Sequence, residues 1–327
     1  MSFVNKLLRL LIISALLVSF LNASSFKKYA GEFMYLGAGS RGTALGNAFT
    51  ALVNDVSSVY WNPAGLVEAK GFQLQFMHSK QFISSIQNSF ISASNPLDEN
   101  TTIGVSLYYL TVNDIKDSRN AYDIIEQRVD PSRVKLFNTG DYIFTVSYAK
   151  KYNEHFNWGI NAKFIYRDFE VESATGIGFD AGLKYQKENL RLGLVLRDIT
   201  STLIAWSTNT KQFVTPSARV GAAYIFEIPS LDLVVIPSAD LNLLAENREY
   251  ATQFNVGPFS ADAMAGAEII YDETIALRLG IDDLQRANAG IGLMLPKVNI
   301  DYAFTAYENE LGNIHRISFH LLLGQVF

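Results

Sequence analysis

The chain has 327 residues, a formal net charge of -5 and 13% aromatic residues, among them 16 Tyr and 22 Phe. The absence of cysteine excludes disulfides, Cys-based zinc sites, thiol catalysis and an N-terminal lipoprotein anchor. An acidic balance without any basic run argues against nucleic acid as a partner, whereas the wealth of Tyr and Phe favours strands, with Tyr also at home at a membrane interface.

Lys6 and Arg9 precede the apolar run from Leu10 to Leu21, which is followed by Asn22-Ala23-Ser24. This is the order of a cleaved secretory signal over 1–23, with the cut expected after Ala23. The run is too short to span roughly 30 Å as a helix, and no later stretch approaches the eighteen or so apolar residues of a spanning helix.

Leu36 to Leu66 reads LGAGSRGTALGNAFTALVNDVSSVYWNPAGL and is not strand-like. Gly37, Gly39 and Gly42 allow tight turns and close backbone approach. From Thr43 to Val53 the apolar residues recur at helical spacing, which predicts a short helix. Proline removes a donor and pushes Asn62 out of the helical region, so a helix cannot run past Tyr60-Trp61-Asn62-Pro63. Residues 24–70 are therefore expected to form an N-terminal hatch, and 71–327 the barrel around it.

Beyond Gly71 the pattern has period two. Phe156, Trp158, Ile160, Ala162, Phe164 and Tyr166 alternate with Asn157, Gly159, Asn161, Lys163, Ile165 and Arg167. Such alternation is a strand with one apolar and one largely polar face. Strand-like runs lie near 72–78, 83–93, 101–111, 140–152, 156–168, 176–186, 190–199, 216–226, 231–243, 262–270, 274–282, 288–295, 297–305 and 314–326, about fourteen in all. After a first tight connection near His78 to Phe82, long connections (112–139, 169–175, 200–215, 244–261, 283–287, 306–313) alternate with short ones. An outer-membrane barrel, with short periplasmic turns and longer external loops, has this alternation. The last strand closes on Phe327, which resembles the C-terminal signal of such barrels.

A soluble sandwich would also alternate. Here, however, the polar face is rich in Gly and carries charges of both signs. Pairing across 169–175 is expected to set Lys163 opposite Asp180, with Arg197 on the next strand, as a ladder of interior charges.

The segment Leu36 to Leu66, with Asp55 ahead of Asn62-Pro63-Ala64, resembles the N-terminal signature of the PorV/PorQ family of bacterial outer-membrane proteins, relatives of the FadL fatty acid transporters. Tyr60-Trp61 before the Asn-Pro-Ala brings it closer to PorV/PorQ. The resemblance implies an all-β, fourteen-stranded transmembrane antiparallel barrel in the outer membrane, plugged by its hatch. It also implies one of two roles. PorV relatives collect secreted proteins in the type IX system and pass them to surface attachment machinery, whereas FadL relatives move hydrophobic molecules through the hatch and a lateral opening. The hatch and gating candidates are Gly37, Gly39, Arg41, Gly46, Asp55, Tyr60, Trp61, Asn62, Pro63, Ala64 and Gly65.

Gly37-x-Gly39-x-x-Gly42 matches a dinucleotide fingerprint but lacks the flanking parallel strands. His78, His155, His315 and His320 show no metal-ligand spacing. Ser318 and His320 share the inward face of the last strand, as a barrel-wall hydrolase would require, although polar lumen residues are the plainer account. Asn62 would either face a ligand or turn the chain. Arg41, the only charge between Glu32 and Asp55, is a candidate to pair with Asp55 or an interior carboxylate. The expectation is a non-enzymatic barrel without cofactor or metal, in contact with outer-membrane lipid. Its partners would be secreted cargo or secretion-system proteins, or alternatively a hydrophobic small molecule.

Overall fold

The computed structural model describes residues 31–81, 86–123, 127–246, 248, 252–307 and 312–324. The expected signal over 1–23, most of the first turn and the closing Phe327 lie outside the described residues. Within them, alternation has become fourteen barrel strands: β1 (Gln73–Gln81), β2 (Ile86–Asp98), β3 (Thr101–Asp117), β4 (Lys135–Lys151), β5 (Phe156–Asp168), β6 (Ser173–Lys187), β7 (Leu190–Arg197), β8 (Ser217–Tyr224), β9 (Leu233–Leu244), β10 (Phe259–Tyr271), β11 (Ile275–Ile281), β12 (Ala287–Met294), β13 (Val298–Thr305) and β14 (Ile314–Leu322). Each is antiparallel to its neighbours, and β1 pairs with β14 from Gln73↔Leu322 to Lys80↔His315. Closure satisfies the ladder around the whole wall, the condition for a sheet in hydrocarbon.

The two faces separate as the sequence requires. Phe144, Val146, Ile160, Phe164, Ile177 and Phe179 stand exposed on the outside, while Thr145, Ser147, Asn161, Ile165 and Asp180 are buried within. In water such a surface would be an aggregation site; facing lipid it is the apolar belt of an outer-membrane barrel. Aromatic groups mark its borders, with Tyr109, Tyr142 and Tyr166 in contact toward the long-loop end and Tyr148 and Trp158 toward the short-turn end. Trp158 and Tyr166 are eight residues apart on β5, about 26 Å along the strand, or about 20 Å of height at the usual tilt.

Strand ends differ from expectation mainly at the long-loop end. The stretch 112–139 is not all loop, because β3 and β4 stay paired out to Asp117↔Lys135. A register shift between Val112 and Ile115, with Asp114 at φ 58°, breaks the period-two pattern there and hides the extension. Within 200–215, Leu203–Trp206 and Lys211–Phe213 form a hairpin paired to the outer part of β6.

The hatch departs further. No continuous helix covers 43–53. Instead α1 (Ser40–Ala44) is one turn long, and α2 (Ser58–Trp61) follows a run of turns. Gly46 at φ 64° and Asn47 at φ 66° reverse the chain, and Gly46 lies against Ile281, where a Cβ would sit 2.5 Å from the wall backbone. Seating on the wall thus overrides the helical period. The stop is where the sequence places it: Asn62 is extended (φ -160°, ψ 107°) and Pro63 opens a 3-10 turn to Glu68. The apolar side chains still share a core, in which Leu45, Phe49, Leu52 and Val53 surround Trp61.

Phe179, near the middle of β6, tests the lipid-facing assignment. Phe179→Arg should destabilise the barrel in bilayers by about 2–4 kcal/mol, and the same change at exposed Val171, in the outer turn, should cost far less, both read from denaturant unfolding in vesicles.

Candidate functional site: the plugged lumen

The hatch enters at the long-loop end. Gly31 touches Val214, Phe33 lies under the Arg167 guanidinium at 4.4 Å, and Tyr35 donates to Asp198 at 2.7 Å. It then descends past α1 to Asn54 and Asp55 near the short-turn end, and returns through α2 before feeding β1. Two apolar layers result. One gathers Phe33 and Met34 with Met77, Phe90, Ile143, Ile165, Ile204 and Val214 of the wall, and the other is centred on Trp61.

Inward glycines set how closely the hatch can sit. On eight strands a glycine faces it (Gly104, Gly159, Gly182, Gly193, Gly221, Gly266, Gly280 and Gly290). A Cβ at Gly159, Gly193, Gly266 or Gly280 would come within 2.6 Å of backbone atoms of Pro63, Thr50 or Leu45. Any larger residue would push the hatch off the wall. The glycine-rich polar face was visible in the sequence, but its role as a seat was not, because it exists only once the strands are side by side.

With the backbone this close and mostly irregular, its polar groups need partners in the lumen. The wall supplies them. Asp240 accepts from the amides of Phe49 (3.2 Å) and Thr50 (3.0 Å), Asn161 donates to Val59 O (2.9 Å), and Lys184 donates to Val53 O (2.6 Å) while pairing with Glu68 (2.7 Å). Neither Asp240 nor Lys184 belongs to the sequence's candidates. Each is a charge on an inward strand position, and only the threading of the hatch singles it out.

Asn62 turns the chain and also ties it to the wall. Its Oδ1 accepts from Ala64 N at 3.2 Å, and its Nδ2 donates to Thr50 O (3.1 Å) and to Leu183 O of β6 (3.2 Å). Trp61 Nε1 donates to Ala38 O at 2.7 Å, and the Tyr60 hydroxyl bridges Met34 O and Gly37 N, each at 2.9 Å. Burial pushes the Tyr60 phenol above its ordinary pKa, so it stays a neutral donor. Gly39 donates to Met77 Sδ at 3.1 Å, and Gly65 packs on Val53 O.

Two charge networks flank the hatch. Arg41 forks onto Glu268 (3.0 and 2.8 Å), and Glu268 also accepts from Arg278 (2.7 Å), which reaches Asp301 (2.6 Å). Asp55 is the more distant partner of Arg41, at 3.8 Å. Burial acts to lower the Arg41 pKa, but the Glu268 charge more than offsets it and holds the guanidinium protonated. On the other side Lys163 contacts both Asp180 (2.7 Å) and Asp198 (2.6 Å). The register differs from expectation, since Gly178 is opposite Lys163 and Asn161 is opposite Asp180. Lys163 reaches diagonally because the β5–β6 turn is shorter than 169–175 allows. Arg197 lies over the Tyr35 and Tyr60 rings (5.7 and 5.4 Å) and donates to Tyr60 O.

The pair Ser318 and His320 turns to separate partners: Ser318 Oγ meets Ser40 at 2.8 Å, and His320 Nε2 meets Gln73 Oε1 at 2.9 Å. Among the described residues no group of three or more His, Asp or Glu is placed to hold a metal ion.

A family model described as type IX secretion system membrane protein PorP/SprF matches residues 48–324, from the middle of the hatch through β14. The chain belongs to this family. The type IX family is thus the PorP/SprF one, where the hatch signature had suggested PorV/PorQ. A search of curated protein sequences gives no match. Solved structures that share the fold include the Ralstonia pickettii toluene transporter TbuX (12% identity, 88% of this chain and 98% of that one, TM-score 0.56). They also include a Pseudomonas aeruginosa FadL homologue (11%, 87% and 98%, TM-score 0.53) and the Pseudomonas putida toluene transporter TodX (12%, 87% and 96%, TM-score 0.51). At these identities they establish the FadL-like barrel and no more. Fold and family together make the chain a secretion-associated outer-membrane barrel.

Glu268→Gln leaves the buried Arg278 guanidinium and the part-buried Arg41 guanidinium under-compensated and should cost about 3–5 kcal/mol. Gly280→Val should instead displace Leu45 and Gly46. Both variants should make the hatch cleavable by protease in folded barrels, whereas lipid-facing Ala263→Val should leave it protected.

Proposed function

We propose that the protein is a non-enzymatic component of type IX secretion that engages secreted cargo or secretion-system proteins at its long-loop end, in the manner of PorV-like cargo carriers. In this reading residues 1–23 direct export, 24–70 act as the hatch and 71–327 form the barrel. The family match across 48–324 carries the reading. The seating of the hatch supports it, because a plug bonded to wall residues on β5, β6 and β9 favours a fixed scaffold over an open conduit. The surface offered outward is the β3–β4 extension, where Leu136 is exposed, together with exposed Tyr122 and Val129 between the two strands.

One observation favours a second reading, passage of a hydrophobic molecule. An apolar cluster lies in the outer part of the lumen, and Phe33 and Met34 of the hatch belong to it. A hydrophobe would have to replace these two side chains.

Mild-detergent purification from the native outer membrane, with mass spectrometry of both proteins and lipids, separates the readings. The secretion role predicts stoichiometric secreted or secretion-system proteins that are lost when 118–134 is replaced by a short Gly/Ser linker. A bound fatty acid or other hydrophobe without protein partners, enriched by Phe33→Ala, would instead establish the channel.

A further inference from the structure

A cavity lies opposite the outward loops. It is about 800 Å³ and opens at the short-turn end, between the descending hatch and strands β10–β14 and β1. Its volume is within the range of ligand sites. Its floor is formed by members of the network that holds the hatch, Arg41, Arg278 and Asp301.

Its chemistry is selective. The lining carboxylates are internally matched, since Arg41 and Arg278 share Glu268 and Asp301, Asp55 lies 3.8 Å from Arg41, and Glu68 pairs with Lys184 at 2.7 Å. The mouth is not matched: Lys70 and Lys297 line it, both exposed, and neither has a carboxylate within ion-pair distance among the described residues. Between floor and mouth the walls carry the amides Gln75 and Asn299. Gln75 is 5% exposed, and its Oε1 has no hydrogen-bond partner.

These features narrow the occupant. A lipid tail would displace water from the amides and from the already paired charges of the floor without replacing its hydrogen bonds, and apolar groups such as Leu322 and Leu323 lie toward the rim. A saccharide would find no Phe, Tyr or Trp face among the lining residues. An extended acidic peptide meets each requirement. Its carboxylates answer Lys70 and Lys297, its backbone N–H groups answer Gln75, and its C=O groups answer Asn299.

We propose that this vestibule is a docking site for an acidic, extended peptide segment of a periplasmic partner. The proposal takes from the secretion reading only the orientation of the short-turn end toward the periplasm. Cargo engagement at the outer loops can therefore fail while the vestibule site stands, and the reverse.

The chain has no cysteine, so Met294→Cys places a single thiol in the cavity without touching a proposed contact. In nanodiscs, an amidated peptide of alternating Asp and Gly should slow maleimide modification of that thiol about ten-fold, the scale of two exposed charge contacts. A Lys/Gly peptide, inorganic phosphate and decanoate should not. Adding Lys70→Glu and Lys297→Glu should transfer protection to the Lys/Gly peptide. These exposed substitutions leave the barrel folded, which heat-modifiable gel mobility will verify. Protection by phosphate or decanoate equal to that by the acidic peptide, no protection at all, or indifference to the charge swap would overturn the proposal.

Discussion

The rest of the structure depends on backbone meeting backbone. The hatch sits so close to the barrel wall that side chains are excluded at Gly159, Gly193, Gly266 and Gly280. Close approach displaces water, and a segment with only two single-turn α-helices cannot satisfy its own amides and carbonyls. The inward charges and amides follow from that constraint. Asp240, Asn161 and Lys184 each stand where a hatch amide or carbonyl needs a partner. These inward polar groups are thus a mould of the hatch.

The two charge networks differ in what they hold. Arg41 joins hatch to wall through Glu268, so its attachment depends on a carboxylate shared with Arg278. Lys163, Asp180 and Asp198 bind wall strands to each other and to the inward turn after β7, with Tyr35 as the hatch contact. Buried ion pairs contribute little net stability over apolar packing but are costly to break singly. Their value here is positional: Arg41 ties the hatch to β10 through Glu268, and Tyr35 ties it to the turn after β7 through Asp198.

Much of this was legible in the sequence. Strict alternation revealed all fourteen strands, since a wall with lipid outside and polar groups inside imposes period two on every segment. The Asn62-Pro63 stop was equally plain, because proline acts locally. Failures arose where distant chain decided the outcome. The turn at Gly46 and Asn47 answers to Ile281, over two hundred residues away, and broke a helix that local spacing favoured. The β3–β4 extension was hidden by a bulge. Around the lumen, the importance of Arg41 could be suspected because it is the lone charge of its segment, whereas its partner Glu268 is one acidic residue among many until β10 is placed beside the hatch.

The route of the hatch, from Gly31 beside Val214 down to Asp55 and back to Gln73, bears on the order of assembly. A segment wedged against eight strands has no passage into a finished cylinder. The seam between β1 and β14 joins the two ends of the barrel sequence, so it is the natural last event, after the hatch has been enclosed. Biogenesis of this protein is then wrapping rather than insertion, and the glycine positions are as much a template for the curling wall as a seat in the completed one.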